Sequence, residues 1–412
     1  MAKINMAKSS PAKITLPNVP TDRAAAVLTA LRATPTGLSR TDLANALGIA
    51  RATLTETLTE LLELGLIAED EATTSTGGRP PQTYRLNPNA AYIGVLDVGG
   101  SRSRVGIANL AGELLEDAVL EINVESGPQQ IMEWAVTELE RMLAQHATKT
   151  RTHKQPPRTA IVVGLPGPVD FTTGRVVSPP IMGSWQDFDV RAYISARIDA
   201  PVIIDNDVNL IALAEQRISH PDSRVLMVIK LGTGIGGGLV IDGQVLRGAR
   251  GAAGDIGHTQ STRAHGALCR CGHTGCVEAV AGGWALVQEL TDRGLAVNNV
   301  SDVAQLVRDG DPIATSHVRA AAKAVALAAA QAVSLLNPDT LVIAGEMLGA
   351  GDAVLAQVRE GIYQYSLPLA THDLVLVPST LGPLVGLQGG AELGIDYLLG
   401  TVTIPQLEKA AA

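Results

Sequence analysis

Three cysteines that lie close together constrain this chain more than any other feature of its sequence. They are the only cysteines in its 412 residues, and an odd number in one short stretch is poor evidence for a disulfide framework. With an upstream histidine, their spacing favours a tetrahedral, structural zinc site whose ligands are His258, Cys269, Cys271 and Cys276. Gly272 and Gly275 allow the tight turns that would bring all three sulfurs to one ion.

Two alternatives for this stretch stay open at the level of sequence. Cysteine also packs in cores as a small hydrophobic residue, so the three could be unrelated buried thiols. His265 and His273 are nearby imidazoles that compete with His258 for the fourth ligand position.

The same stretch resembles the signature of the ROK family, which unites bacterial sugar kinases and sugar-responsive repressors. The matching pattern is G-H followed by C-x-C-G-x-x-G-C-x-E, here Gly257-His258 and the residues from Cys269 to Glu278. The resemblance implies that the histidine and the cysteines hold zinc, and that His258 and Glu278 contact a sugar. It also implies an α/β fold with a two-lobed, actin-like ATPase body of the ribonuclease H-like kind.

Length and charge suggest more than one domain and leave room for a nucleic-acid partner. A chain of 412 residues is too long for one core. Its net charge is −9, but residues 1–90 carry nine Lys and Arg against eight Asp and Glu, a net +1 that leaves −10 for the rest. An acidic body with a near-neutral front module permits DNA binding through a local patch.

The sequence also predicts where the protein resides. It contains no continuous run of about eighteen apolar residues, and its first residues lack the apolar region of a signal peptide. Free thiols in a metal cluster suit a reducing compartment. We therefore expect a cytoplasmic protein without a membrane partner.

The front of the chain has the pattern of a winged helix-turn-helix, predicted over residues 20–90 after a disordered arm at 1–19. Helices are predicted at 21–34, after the capping box that begins at Ser39, and at 51–64, with Gly48 ending the second. Strands at 66–68 and 83–86 would form a wing whose tip is 77–81. The module resembles that of ROK repressors.

The third helix of this module would enter the major groove of operator DNA. Its donors for bases and phosphates, and a wing-tip arginine for the minor groove, are Arg51, Thr53, Thr55, Thr57 and Arg79. Paired modules predict an inverted-repeat operator and a homodimer or homotetramer. The alternative is a small domain that binds protein instead of DNA.

The rest of the chain alternates strands with helices, which indicates packed α/β layers. Strands are predicted at 92–98, 105–109, 160–165, 201–205, 225–231 and 341–344, and helices at 131–144 and 312–336, with a polar connection at 145–158. Gly389-Gly390-Ala391 is expected to start a C-terminal helix. The body would span 91–400, with lobes at about 91–205 plus that helix and about 206–387, and a tail at 401–412.

Two glycine-rich stretches, residues 97–102 and 232–238, resemble the first and second phosphate loops of the family. Backbone N–H groups in such turns can wrap a phosphate. A third turn follows the late strand, where adenosine would lie. The nucleotide-binding residues that the resemblance implies are Asp97, Gly99, Gly100, Ser101, Arg102, Gly232, Thr233, Gly234, Gly236 and Gly345.

Asp207 matches the catalytic aspartate of the family kinases, which would accept the proton of the sugar hydroxyl. The alternative is that it caps the helix near Leu210. The sugar site implied by the resemblance is Asn206, Asp207, Asp255, His258 and Glu278.

Three positions depart from the kinase pattern. Asp255 stands where glutamate is usual, Ile181 stands where an asparagine often precedes Trp185, and Glu346 ends what is usually a G-G-G turn. We therefore expect a sugar-responsive DNA-binding repressor, with zinc as its structural cofactor. The rivals are an ATP- and Mg²⁺-dependent hexose kinase that carries a DNA-binding module, and a scaffold that does not bind DNA.

Overall fold

A computed structural model describes residues 22–71, 82–149, 157–177, 182–401 and 407. The arm at 1–19, the wing tip with Arg79, and Ile181 lie outside the described residues, as does nearly all of the 401–412 tail.

The front module folds as three helices and a small antiparallel sheet ordered β1-β3-β2. Its elements are α1 (Asp22–Arg32), β1 (Leu38–Ser39), α2 (Arg40–Leu47), α3 (Arg51–Glu63), β2 (Ile67–Glu71) and β3 (Gln82–Leu86). The predicted capping box is present, because Ser39 and Asp42 exchange hydrogen bonds at the start of α2. Gly48 ends that helix in the left-handed conformation, at φ 64°. The predicted wing strands are confirmed, and β1 is an additional short strand paired with β3.

The first half of the body is a five-stranded sheet ordered β10-β7-β4-β5-β6. Strands β10, β7 and β4 are parallel, and β5 and β6 continue the sheet antiparallel. The elements are β4 (Ala91–Val98), β5 (Ser103–Asn109), β6 (Leu114–Leu120), α4 (Pro128–Lys149), β7 (Arg158–Leu165), β8 (Val169–Asp170), β9 (Arg175–Val176), α5 (Val190–Ser195) and β10 (Val202–Asn206).

The second half repeats this arrangement with the sheet order β13-β12-β11-β14-β15, in which β11, β14 and β15 are parallel. The elements are α6 (Asp207–Ala214), β11 (Val225–Leu231), β12 (Ile235–Ile241), β13 (Gln244–Val245), α7 (Glu278–Ala281), α8 (Gly283–Asp292), α9 (Val300–Arg308), α10 (Pro312–Leu336), β14 (Thr340–Ala344), α11 (Asp352–Tyr365), α12 (Pro368–Thr371), β15 (Val375–Pro378) and α13 (Val385–Leu399). The predicted α/β fold with a front winged helix is confirmed.

Helices α6 and α13 connect the two halves. Helix α13 packs on β4 and β7 of the first sheet, and α6 packs on α13 as well as on β12 of the second sheet. Asp207, the first residue of α6, therefore sits where the two lobes meet.

Three local predictions were wrong. Helix α4 continues to Lys149 through the predicted polar connection, because His146 is buried and its ring packs 5.9 Å from that of Tyr92. The glycines at 236–238 lie in strand β12 and not in a turn. Glycine is needed in this strand for close packing, because a side chain at Gly238 would lie 2.5 Å from the Val208 carbonyl oxygen of α6. Gly389 lies inside α13, where a side chain would collide with the backbone of Leu210.

The winged helix is joined to the body by both apolar and ionic contacts. Its buried residues, including Leu28 of α1, belong to the same apolar cluster as Leu393 of α13. The Arg32 guanidinium donates to both carboxylate oxygens of the buried Glu392, at 2.9 and 2.5 Å. A bidentate pair of this kind fixes orientation as well as position.

Helix α10 is long and apolar enough to cross a membrane, yet 56% of its most apolar stretch is buried within the fold. It packs along α11 and supplies much of the second lobe's core.

Candidate functional site

A cleft lies between the lobes. All five residues predicted to contact sugar line it, as do parts of both glycine-rich loops (Gly100, Asn206, Asp207, Thr233, Gly234, Gly236, Asp255, His258 and Glu278).

Asn206, rather than Asp207, caps helix α6. The Asn206 Oδ1 atom accepts from the backbone N–H of Val208 at 2.8 Å, and its Nδ2 donates to the carbonyl of Gly167 at 2.9 Å. The capping alternative for Asp207 is therefore wrong, and its carboxylate is available for other contacts. The turn before α6 is further held by the buried Asp205, which accepts from Arg247 and from Asn209.

The buried Asp207 carboxylate has a partner that no sequence motif indicated. Lys230, at the end of β11, donates from Nζ to Asp207 Oδ2 at 2.5 Å. Burial alone would lower the pKa of Lys230, but the negative charges of Asp207, Asp97 and Glu346 raise it above its ordinary value. Lys230 is therefore held charged. A lysine within an otherwise apolar strand, two residues before Gly232, was the signal that could have revealed it.

Glu278 has a bracing role as well as a place in the cleft. Its Oε2 accepts from the backbone N–H of Ile235 at 2.8 Å, and its Oε1 accepts from Trp284 Nε1 at 3.2 Å. A side chain at Gly234 would approach Glu278 Oε2 to 2.7 Å. Glu278 thus ties the second glycine loop to α7, while Asp255 stays exposed near the cleft.

The predicted zinc ligands come together in space. The ligand atoms of His258, Cys269, Cys271 and Cys276 all lie within 4.8 Å of one another. Cys269 Sγ is 3.7 Å from His258 Nδ1, and Cys271 Sγ is 3.7 Å from Cys276 Sγ. These separations match a tetrahedron with Zn–S bonds of about 2.3 Å, whose edges are about 3.8 Å long.

The loop around these residues has the turns that the sequence predicted. Gly272 and Gly275 adopt φ of 89° and 84°, the left-handed region that glycine enters without steric penalty. Burial raises the pKa of the Cys269 thiol to about 12 when no cation is nearby. Of the competing imidazoles, His273 lies 3.5 Å from Cys271 Sγ but is exposed and outside the four-ligand cluster, as is His265.

A second cavity on the other side of Lys230 holds most of the residues predicted to bind nucleotide, whereas Gly234 and Gly236 line the first cleft instead. Its lining includes Asp97, Gly99, Gly100, Ser101, Arg102, Gly232, Thr233 and Gly345. The two glycine loops touch, because a side chain at Gly100 would meet Thr233 Oγ1 at 2.6 Å. Arg102 reaches from the first lobe to Glu346 of the second at 3.0 Å. This ion pair lies at the turn where the family resemblance implies that adenosine would bind.

On the winged helix, α3 presents part of the predicted DNA-contact set. Arg51 is exposed in its first turn, and Thr53 and Thr55 are partly exposed. Thr57 is buried and donates to the carbonyl of Thr53 at 3.0 Å, so it faces the domain core and the prediction that it contacts DNA is not supported by its position.

Comparison with known proteins decides the family of this architecture. Residues 92–396 match the ROK family, and residues 20–71 match the IclR helix-turn-helix domain. The chain belongs to the ROK family.

Its relatives include both regulators and kinases. A xylose repressor of Caldicellulosiruptor bescii is 25% identical over 84% of this chain and 88% of its own length. A glucokinase of Halalkalibacterium halodurans is 32% identical over 73% of this chain and 94% of its own. A solved ROK family transcriptional regulator, a homolog of the E. coli MLC protein, is 26% identical with a TM-score of 0.77, covering 94% of this chain and 98% of its own.

Proposed function

We propose that this protein is a cytoplasmic, sugar-responsive transcriptional repressor of carbohydrate-metabolism genes. The observation that carries the proposal is the helix-turn-helix joined to the ROK body, because a xylose repressor matches across both parts whereas the glucokinase matches about three quarters of the chain. We divide it into a winged helix-turn-helix at 20–90 and a sugar-binding body at 91–400.

In this proposal, zinc is structural. His258, Cys269, Cys271 and Cys276 supply four ligands, and a closed four-ligand site has no open position for water. The ion would fix the loop that carries His258 into the cleft.

The sugar would lie in the cleft among Asn206, Asp207, Asp255, His258 and Glu278. The side-chain oxygen and nitrogen of Asn206 and both carboxylate oxygens of Glu278 already have protein partners. Polar atoms with spare hydrogen-bonding capacity, above all Asp207 Oδ1 and the Asp255 carboxylate, would therefore select the hydroxyl pattern of the effector.

Operator DNA would be contacted by Arg51, Thr53 and Thr55 at the start of α3, with Arg79 of the wing as a proposed minor-groove contact. A homodimer would place two such helices on an inverted repeat. Sugar binding would release the DNA only to the extent that the sugar prefers the non-binding state.

Asp207→Asn tests the sugar site and separates the two candidate functions. A sensor should bind its sugar somewhat more weakly, because an amide still hydrogen-bonds a hydroxyl, and should still release DNA. Thermal shift with a panel of sugars identifies the effector, since a ligand that binds the native state raises Tm. DNA retardation with and without that sugar then reads the response.

The second candidate, an ATP-dependent hexose kinase, is favoured by the 32% identity to a glucokinase. Robust phosphorylation of a hexose by the wild type, abolished in Asp207→Asn with sugar affinity retained, would make the protein a kinase. We expect turnover to be absent or weak.

A further inference from the structure

A lysine side chain lies in the cleft, at the point where the sugar-side cavity meets the cavity between the glycine loops. Lys230 lines both the sugar-side cavity and the cavity between the glycine loops, and its side chain is 26% exposed. Its Nζ donates to Asp207 Oδ2 at 2.5 Å, while the Asp207 side chain is only 4% exposed.

A second carboxylate, that of Asp97, lies near this pair and lines the second cavity together with Lys230. Asp97 and Asp207 flank Gly164, since a Cβ placed there would lie 3.5 Å from both Asp97 Oδ1 and the Asp207 Cα. Burial, together with the charge of Asp207, raises the pKa of Asp97 to about 6, and Lys230 is the strongest influence that lowers it. The Lys230 ammonium thus pairs with the buried Asp207 and also favours the ionised form of the partly buried Asp97.

Phosphoryl transfer in a site of this kind needs a divalent cation and a free carboxylate base. Mg²⁺ requires near-octahedral oxygen ligands at about 2.0–2.1 Å and dehydrates reluctantly. Here Asp207 Oδ2 is already engaged, and a divalent ion beside it would meet the positive charge of Lys230. The residues present therefore do not fit Mg²⁺.

We propose that Lys230, paired with Asp207 and near Asp97, takes the place of a divalent cation, so that this cleft accepts a sugar without Mg²⁺ and does not support phosphoryl transfer. On the nucleotide side, Arg102 and Glu346 also form an ion pair within the protein, at the lining of the second cavity. This inference goes beyond the proposed function and can fail or hold independently of DNA binding.

The test is a calorimetric Mg²⁺ titration of the full-length, zinc-loaded protein, with Tm recorded in parallel. Wild type should show no Mg²⁺ binding at low millimolar concentration. Lys230→Met should gain one Mg²⁺ per chain and a Tm that rises with Mg²⁺, because Asp207 loses its partner and the positive charge near Asp97 is removed. The double variant Lys230→Met/Asp207→Asn should lose the gained site.

Matched controls isolate the position of the charge. Lys323→Met removes an exposed helical lysine and should gain no Mg²⁺ site. Lys230→Arg keeps the charge and should also gain none. A cooperatively melting Lys230→Met that binds no Mg²⁺ overturns the proposal. If Lys230→Met does not fold, wild type decides: Mg²⁺ binding that Asp207→Asn abolishes overturns the proposal, and its absence supports it.

Discussion

At the scale of single residues, Cys271 is the proposed zinc ligand whose removal disturbs packing least. It is partly exposed, whereas Cys269 and Cys276 are buried beside Ala279. Serine keeps the size of cysteine but is a poor zinc ligand, because zinc binds thiolates and not neutral hydroxyls in such sites. The consequences of this change should therefore come from the lost ion.

Cys271→Ser is expected to reduce zinc from about one ion per chain to near zero and to abolish the response to sugar. Metal analysis after gentle purification, together with DNA retardation, measures both effects. His273→Ala is the control, since that exposed imidazole lies 3.5 Å from Cys271 but outside the cluster, and it should keep the metal. Full zinc content in Cys271→Ser would contradict the four-ligand site.

Some features of the candidate site could be predicted from the sequence, and others could not. The cluster of one histidine and three cysteines could be predicted because the spacing is local and the chemistry is rare. The apolar strand around it singles out Lys230, but the sequence does not show its partner, because its role depends on Asp207, twenty-three residues earlier in the chain, and on Asp97 in another sheet. Thr57 lies on the inward face of α3 that the helical spacing of Leu54, Leu58 and Leu61 marks, which the prediction of a DNA contact overlooked.

At the scale of elements, the prediction succeeded where apolar periodicity set the structure and was wrong at the glycines of β12 and α13. Strand β11 was predicted with the bounds that the structure gives, Val225–Leu231, since a continuous apolar run marks a buried strand. Glycines were interpreted as turns and a helix start, whereas Gly238 and Gly389 serve close packing of α6 against β12 and α13. Such contacts between distant segments leave no local signal.

Helix α13 is the element that joins the cleft to the DNA-binding module. Near its start, Gly386 lies against the Asp97 carboxylate, and further along, Glu392 holds Arg32 of α1. Helix α6 begins at Asp207 and packs along α13, and the π-helical turn after it carries Arg217, which pairs with Asp396 at 3.2 Å. We infer that lobe movement reaches the winged helix along these two helices.

Arg32→Ala should therefore uncouple the module from the body. Sugar affinity should stay near wild type, while the sugar-induced loss of DNA affinity, typically about 5–150-fold for coupled sites, should fall toward none. Stability should also drop by about 1–3 kcal/mol, because Glu392 loses its partner while buried. Calorimetry with the sugar and DNA retardation measure the two affinities.

The control for this change is Arg224→Ala, which breaks the exposed pair with Asp242. It should leave both affinities and the stability unchanged, because exposed ion pairs contribute little. Undiminished release of DNA by sugar in Arg32→Ala would show that the coupling runs elsewhere.

At the scale of the whole molecule, an apolar surface suggests how two copies associate. The apolar patch consists of Leu335 at the end of α10 and of Leu367 and Leu369 at α12. Their side chains are 84%, 77% and 91% exposed, respectively. The two segments are adjacent, since Ser334 Oγ and Ser366 Oγ lie 3.5 Å apart. Clustered exposed leucines mark an interaction surface more often than an ordinary surface.

Leu369→Glu should convert the proposed homodimer into a monomer, because a charge would be buried without a partner in the interface. Since an inverted repeat is bound by two modules together, DNA affinity should fall by more than tenfold, while each chain still binds sugar. Light scattering gives the mass, and retardation on full and half operators gives the affinities. Val119→Glu, a similar change at an exposed valine on β6, should alter neither. A dimer that survives Leu369→Glu and Leu335→Glu together would place the interface on another surface and leave the apolar patch without this role.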